Sequence, residues 1–219
     1  MKCPGCGGQR FTDYQPLWDE LASAWELSCD QAMVLGRREG MTCKRCRLSV
    51  RGMALANGVM RSTGRSRRFW QWVLTHPHRS ILEVNTAAAL HRYLGLMPRQ
   101  RLVTYPEVDL QDLPFADSSW DFVIHSDTLE HVADPVQALR ECRRVIRRGG
   151  ALIYTIPIVP GRATRRCGLD RPSYHGVPGV VEHLVVTEYG DDYWREPIEA
   201  GFERVEMIRF DVTEAIVCR

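Results

Sequence analysis

The sequence predicts an α/β protein: a doubly wound, mostly parallel sheet preceded by a small cysteine-bearing module. Three observations carry this. Two Cys-x2-Cys pairs, Cys3/Cys6 and Cys43/Cys46, stand ahead of the rest of the chain. From Ser80 onward, short apolar runs alternate with amphipathic ones, the pattern of strand-helix-strand units. The length of 219 residues suits one such sheet domain of about 150 residues plus an appendage.

The cysteines come first. Zinc takes four tetrahedral ligands, and two thiolates in one tight turn can fill two adjacent vertices, so two such turns close a site. Pro4, Gly5 and Gly7 let the first turn curl around one point. The 36 residues between Cys6 and Cys43 exceed the usual ribbon loop of about 15–20, so residues 1–50 read as a zinc-ribbon module with an insertion. Tyr14 to Trp18 and Trp25 to Leu27 are aromatic enough to pack on the metal turns. A redox dithiol is the alternative, but it needs only one such pair. Cys29 reads as a buried thiol.

Residues 51–79 read as a basic helical linker, with helices over Leu48–Leu55 and Phe69–Leu74 joined near Arg61-Ser62-Thr63-Gly64-Arg65. Residues 80–219 carry the sheet. Strands are predicted at Ile81–Val84, Arg101–Tyr105 and Trp120–Ile124, with a helix over Ala87–Leu94 between the first two. Asp134-Pro135 opens a helix, Asp as N-cap and Pro in the first turn, where its missing N–H is harmless. Val136, Leu139, Cys142, Val145 and Ile146 then repeat at helical spacing. Gly149-Gly150 is expected to end that helix before a strand at Ala151–Ile156. Tyr189–Ala200 reads as a helix, and Glu203–Phe210 with Glu214–Cys218 as a strand pair.

Composition excludes several classes. With 44% hydrophobic and 26% charged residues, the chain is neither disordered nor fibrous. No run approaches the ~18 apolar residues of a membrane span, and no apolar leader follows Met1; a cytoplasmic protein with no membrane partner is expected. The net charge of +2 hides an asymmetry: residues 31–79 hold eleven basic residues against Glu39 alone. Such a segment can attract polyanions, although a solvated basic face is the simpler reading.

One block is more specific. Asp109-Leu110-Gln111-Asp112-Leu113-Pro114-Phe115, Asp117-Ser118-Ser119-Trp120-Asp121-Phe122-Val123-Ile124, Asp127-Thr128-Leu129-Glu130-His131-Val132-Ala133-Asp134-Pro135 and Arg144-Val145-Ile146-Arg147-Arg148-Gly149-Gly150 together resemble the class I S-adenosylmethionine-dependent methyltransferases of the type 11 group. The likeness runs from about Ser80 to the end, and some bacterial members place a two-CxxC ribbon before the same domain. It implies a Rossmann-like fold and S-adenosylmethionine as cofactor beside a structural zinc. Glu83 matches the acid ending the first strand, Asp109 and Leu110 the pair after the third strand that faces the adenine, and Ser126 and Asp127 the place where cofactor and substrate meet. His131 matches the histidine of the Leu-Glu-His-Val motif. With His125 and His175 it makes the set of candidate catalytic bases. Tyr174 and His183 share the long 157–187 segment, which reads as a lid or substrate wall; its histidines lack the tight spacing of a metal motif.

The glycine loop departs from the family. Where a member reads Glu-x-Gly-x-Gly-x-Gly, this chain has Glu83-Val84-Asn85-Thr86-Ala87-Ala88-Ala89. Asn85 tolerates a left-handed backbone, whereas Ala87 and Ala89 are expected to crowd the cofactor surface. After the second strand, only Glu107 offers itself as the ribose-binding acid. Three functions follow: methyl transfer to a small-molecule, glycan or natural-product acceptor; a methyltransferase-derived fold that binds or catalyses something else; and, less favoured, a nucleic-acid methyltransferase using the basic segment.

Overall fold

The computed structural model describes residues 1–64, 67–166, 172–175 and 183–219. Part of the expected lid, 167–171 and 176–182, and the linker residues Arg65 and Ser66 lie outside the described residues. Helices are α1 (Asp19–Ala24), α2 (Cys29–Gly40), α3 (Val50–Ser62), α4 (Phe69–Thr75), α5 (His91–Leu94), α6 (Pro135–Val145) and α7 (Arg195–Glu199). Strands are β1 (Ile81–Val84), β2 (Gln100–Val103), β3 (Trp120–Ser126), β4 (Ile146–Thr155), the short β5 (Arg165–Arg166), β6 (Ser173–Tyr174), β7 (Leu184–Val185) and β8 (Thr187–Glu188), then β9 (Val205–Phe210) and β10 (Thr213–Cys218).

Six strands form one sheet in the order β2-β1-β3-β4-β10-β9. The first four are parallel, and β10 and β9 return antiparallel. The order reverses between β1 and β3, and in open α/β sheets ligands bind at the carboxyl ends of strands at that point. Side chains alternate between faces with period two. Ile81, Phe122, Ile124, Ile153 and Val217 face α3 and α4, while Leu82, Val123, Leu152, Ile216 and Cys218 face the α6 side. Asp134 caps α6 as expected, accepting a hydrogen bond from the Gln137 N–H at 3.0 Å.

Four expectations are corrected. Residues 51–62 belong to no free linker: α3 lies on the sheet with Met53, Ala54, Leu55 and Val59 fully buried. A Cβ on Gly58 would stand 2.8 Å from the Ala215 Cβ, so glycine lets this helix sit close on β10. The Gly149-Gly150 pair does not end α6, which passes directly into β4; it forms a bulge inside the strand, where a Cβ on Gly150 would lie 2.4 Å from the Asp121 carbonyl oxygen. Only Arg195–Glu199 of the expected 189–200 helix is helical; residues 191–194 are turns, and Gly190 approaches the Arg162 carbonyl too closely for a Cβ. No further strand lies between β2 and Asp109: residues 104–119 are turns and irregular chain, leaving β2 at the sheet edge.

The insertion between the cysteine pairs does not simply cover them. Tyr14 packs beside the cysteine turns, but Trp25 forms a separate core with Leu17, Leu21, Leu35, Val159 and Val185, and its indole N–H donates to the Ser173 hydroxyl at 2.9 Å. α1 and α2 therefore roof the segment that follows β4. Cys29, expected buried, is exposed at the start of α2.

Candidate active site

A cavity of about 470 Å³ opens at the carboxyl ends of β1, β2 and β3. Asn85 follows β1, Tyr105 follows β2, and Asp127 and Thr128 follow β3; Val108, Asp109, Leu110, Val132 and Ala133 line the remaining wall. Concave sites of this size, mostly apolar with a few polar groups, suit a cofactor. Asp109 is ordered from its own turn, its carboxylate accepting from the Gln111 N–H at 2.8 Å and from the Gln111 side chain. The Asn85 side-chain oxygen accepts from the Tyr105 N–H at 3.2 Å, tying the first loop to the end of β2.

The loop after β1 shows where glycine is and is not missed. Positive φ falls on Asn85 (53°) and on Ala88 (47°). Ala87 has a φ of −72°, is 1% exposed and packs in the core beneath the cavity, so the crowding expected of it does not occur. Ala87 and Ser126 do not line the cavity; Ser126 instead shares a 2.8 Å hydrogen bond with Thr155. Glu83 sits behind the loop, accepting from the Ala87 N–H at 2.9 Å and from Gln100 at 2.8 Å, with His91 Nδ1 at 2.9 Å. It shapes the loop from below. Glu107 is exposed, paired with Thr104, and away from the cavity wall.

A second cavity, about 350 Å³, adjoins the first. Its walls are Leu17, Leu21, Trp25 and Leu35 from the insertion, with Glu39, Arg51, Pro157 and His175. Asp127 and His131 line both cavities, so these two residues stand at the junction. Asp127 is clamped. Arg38 of α2 grips both carboxylate oxygens, Arg51 of α3 pairs with Oδ2, and the Thr155 hydroxyl donates at 3.3 Å. Burial pushes the Asp127 carboxyl up, but the Arg38 and Arg51 guanidiniums outweigh it and hold the group well below the usual carboxylate range. Arg38 is itself buried and further paired with Glu39. Nothing in the local pattern signals this clamp, because Arg37-Arg38-Glu39 reads like a solvated helix face and the partner of Arg38 is 89 residues away.

The three candidate histidines separate. His131 Nδ1 donates to the Leu184 carbonyl at 2.7 Å, and its Nε2 stands 3.8 Å from Glu130 Oε1. His175 lines the second cavity 5.2 Å from His131, ring to ring. His125 is a correction: it is fully buried, stacked on Tyr154, and lines neither cavity. Burial pushes its imidazole down to about 3, so it is a neutral core residue and no base for a bound substrate.

At the other end of the module, Cys3, Cys6, Cys43 and Cys46 bring their sulfurs within 4.8 Å of one another. Cys3 to Cys46 is 3.4 Å and Cys6 to Cys43 is 3.7 Å; four sulfurs bound tetrahedrally at about 2.3 Å would stand roughly 3.8 Å apart. The hydrogen bond from Cys3 pushes the Cys46 thiol down to about 5, while the same bond and burial raise Cys3. The donor set fits a zinc ion, which would replace the shared protons of four crowded thiols. Four of the eleven basic residues of the 31–79 segment are paired with carboxylates from elsewhere in the fold. Arg37 pairs with Asp211, Arg38 and Arg51 with Asp127, and Arg79 with Asp121, which reduces the polyanion-binding charge its composition implied.

Comparison with known proteins finds methyltransferases. Residues 66–154 match the family model described as "Methyltransferase domain". A probable S-adenosylmethionine-dependent methyltransferase of Mycolicibacterium smegmatis is 37% identical over 73 residues, 31% of this chain and 27% of its own. The ubiquinone/menaquinone biosynthesis C-methyltransferase UbiE of Klebsiella pneumoniae is 34% identical over 94 residues, 42% of this chain and 36% of its own. The chain thus spans about a third or less of these relatives. Among solved structures, a SAM-dependent methyltransferase from Aquifex aeolicus aligns with a TM-score of 0.44 at 13% identity, covering 74% of this chain and 97% of its own. The sugar N-methyltransferase KedS8 from Streptoalloteichus aligns at 0.45 and 16%, covering 68% and 85%. The matched residues hold β1 through β4 and most of the wall of the larger cavity, and it is to S-adenosylmethionine-dependent methyltransferases that this stretch of the chain is similar.

Proposed function

We propose that the protein transfers a methyl group from S-adenosylmethionine, held in the larger cavity, to a small-molecule acceptor in the smaller one. The observation that carries this is the junction: the two cavities meet at Asp127 and His131. Asp109, Leu110 and Asn85 would hold the cofactor, which supplies an already electrophilic methyl when bound. The chain's own task is placement and exclusion of water. Leu17, Leu21, Trp25 and Leu35 give the acceptor an apolar seat, and Arg51 and Glu39 give it polar contacts. The relatives' C- and N-acceptors fit a small molecule in general, and no one substrate class is favoured over a glycan or natural product. The four N-terminal cysteines hold a structural zinc in this reading, one that fixes α2 and α3 at the acceptor wall.

Calorimetry with S-adenosylmethionine tests the function. Binding is expected in the wild type, and loss of it in Asp109→Ala. An absence of binding at millimolar cofactor by folded protein overturns the reading and leaves a methyltransferase-derived fold with another role.

A further inference from the structure

Glu130 is an anomaly in the wall between the two cavities. It is 0% exposed, yet neither carboxylate oxygen has a hydrogen-bond donor among the described residues. A buried carboxylate left without a partner is among the more expensive arrangements in a folded chain. The nearest groups are imidazole nitrogens. His175 Nδ1 stands 3.6 Å and His131 Nε2 3.8 Å from the same oxygen, Oε1, each beyond hydrogen-bond reach. The nearby guanidiniums do not resolve it: Arg38 and Arg51 are both engaged by Asp127 and Glu39. That group therefore holds two cations against three carboxylates.

We propose that Glu130, His131 and His175 form a second metal site, for a divalent transition-metal ion, distinct from the four cysteines. The three donor atoms lie within 4.8 Å of one another. Nitrogen and oxygen ligands at about 2.0–2.2 Å from one ion stand roughly 3–3.5 Å apart, so modest side-chain rotation brings the set into range. Two histidines and one carboxylate are a donor set that zinc, iron(II) and cobalt(II) all accept, with open positions left over. His131 already has the outer contact such ligands show, its Nδ1 proton given to the Leu184 carbonyl and Nε2 turned toward Glu130. The ion would supply the charge that Glu130 lacks. Because His131 and His175 line the smaller cavity, its open positions face the acceptor seat. That last step rests on the proposed function; the metal site itself does not. The histidines fall 44 residues apart in the sequence, which is why spacing alone does not reveal them.

Cobalt(II) titration of the full-length protein tests it. The four-cysteine site gives intense thiolate-to-cobalt charge transfer, whereas a His2Glu site gives weaker visible d–d bands without it. The wild type is expected to show both signatures and to retain zinc in excess of one ion per chain. His175→Ala and Glu130→Gln should each lose the second signature and the excess metal, with the thiolate band intact as evidence that the N-terminal module is folded. A wild type carrying only thiolate-bound metal, or variants with unchanged spectra and stoichiometry, overturns the proposal. S-adenosylmethionine binding is read separately by calorimetry, so either claim can fail while the other stands.

Discussion

Truncating Arg38 to alanine removes the bidentate partner of Asp127 while leaving Arg51 and Thr155 in place. Arg38 and Asp127 are both buried, and breaking such a pair from one side costs about 3–5 kcal/mol because a carboxylate is left partly uncompensated. Since Arg51 remains, the loss should fall near the lower end. For a chain of this size, each kcal/mol corresponds to roughly 2–4 °C, so Tm should drop by roughly 6–12 °C. Urea unfolding monitored by far-UV dichroism gives the free energy directly. The pH dependence gives a second reading. In the wild type, Asp127 is held below its unfolded value of about 3.9, so its contribution is fully present above that pH and disappears as pH falls through the folded value. In Arg38→Ala the folded value moves back up, and the acid limb below about pH 4 becomes shallower. A variant within about 0.5 kcal/mol of wild type, with an unchanged acid limb, would falsify the clamp.

Two further outcomes are expected. Ala88→Gly relieves a left-handed backbone and should stabilise by about 1 kcal/mol, whereas Ala87→Gly, at an ordinary φ in the core, should destabilise and should not tighten cofactor binding; tighter binding by the second variant would restore the crowding argument. Zinc measured by elemental analysis should be lost from the cysteine site in Cys43→Ser/Cys46→Ser, together with resistance of the N-terminal module to proteolysis, and full retention of zinc would remove those residues from the site.

What was legible followed local rules. The alternation in Ile81–Val84 and Trp120–Ile124, the Asp134 cap and the paired cysteines are each set within a few residues, and each appears in the structure where the sequence placed it. Asp109 and Leu110, singled out by family resemblance, line the larger cavity, although the further strand expected before them did not form. The losses were long-range. Gly149-Gly150 signals a helix stop locally, but the bulge it makes depends on Asp121. Arg38 and Glu130 look like solvated charges on amphipathic segments until the fold buries them. Ala87 and Ala88 differ in φ and in burial, neither of which composition encodes.

The seating of α3 on β10 also bears on how the chain is made. The helix is complete at Ser62, while the strand beneath it begins at Thr213. At a synthesis rate of ~5–20 residues per second, the intervening stretch of about 150 residues takes roughly 8–30 s to emerge. For that interval the apolar side of Met53, Leu55 and Val59 lacks the β9–β10 part of its seat, although β3 and β4 arrive earlier. The cysteine turns, by contrast, need nothing beyond Cys46. A metal ion can therefore fold the first module early and hold α3 at its base, limiting the directions in which a sticky nascent helix can search before its last strand arrives.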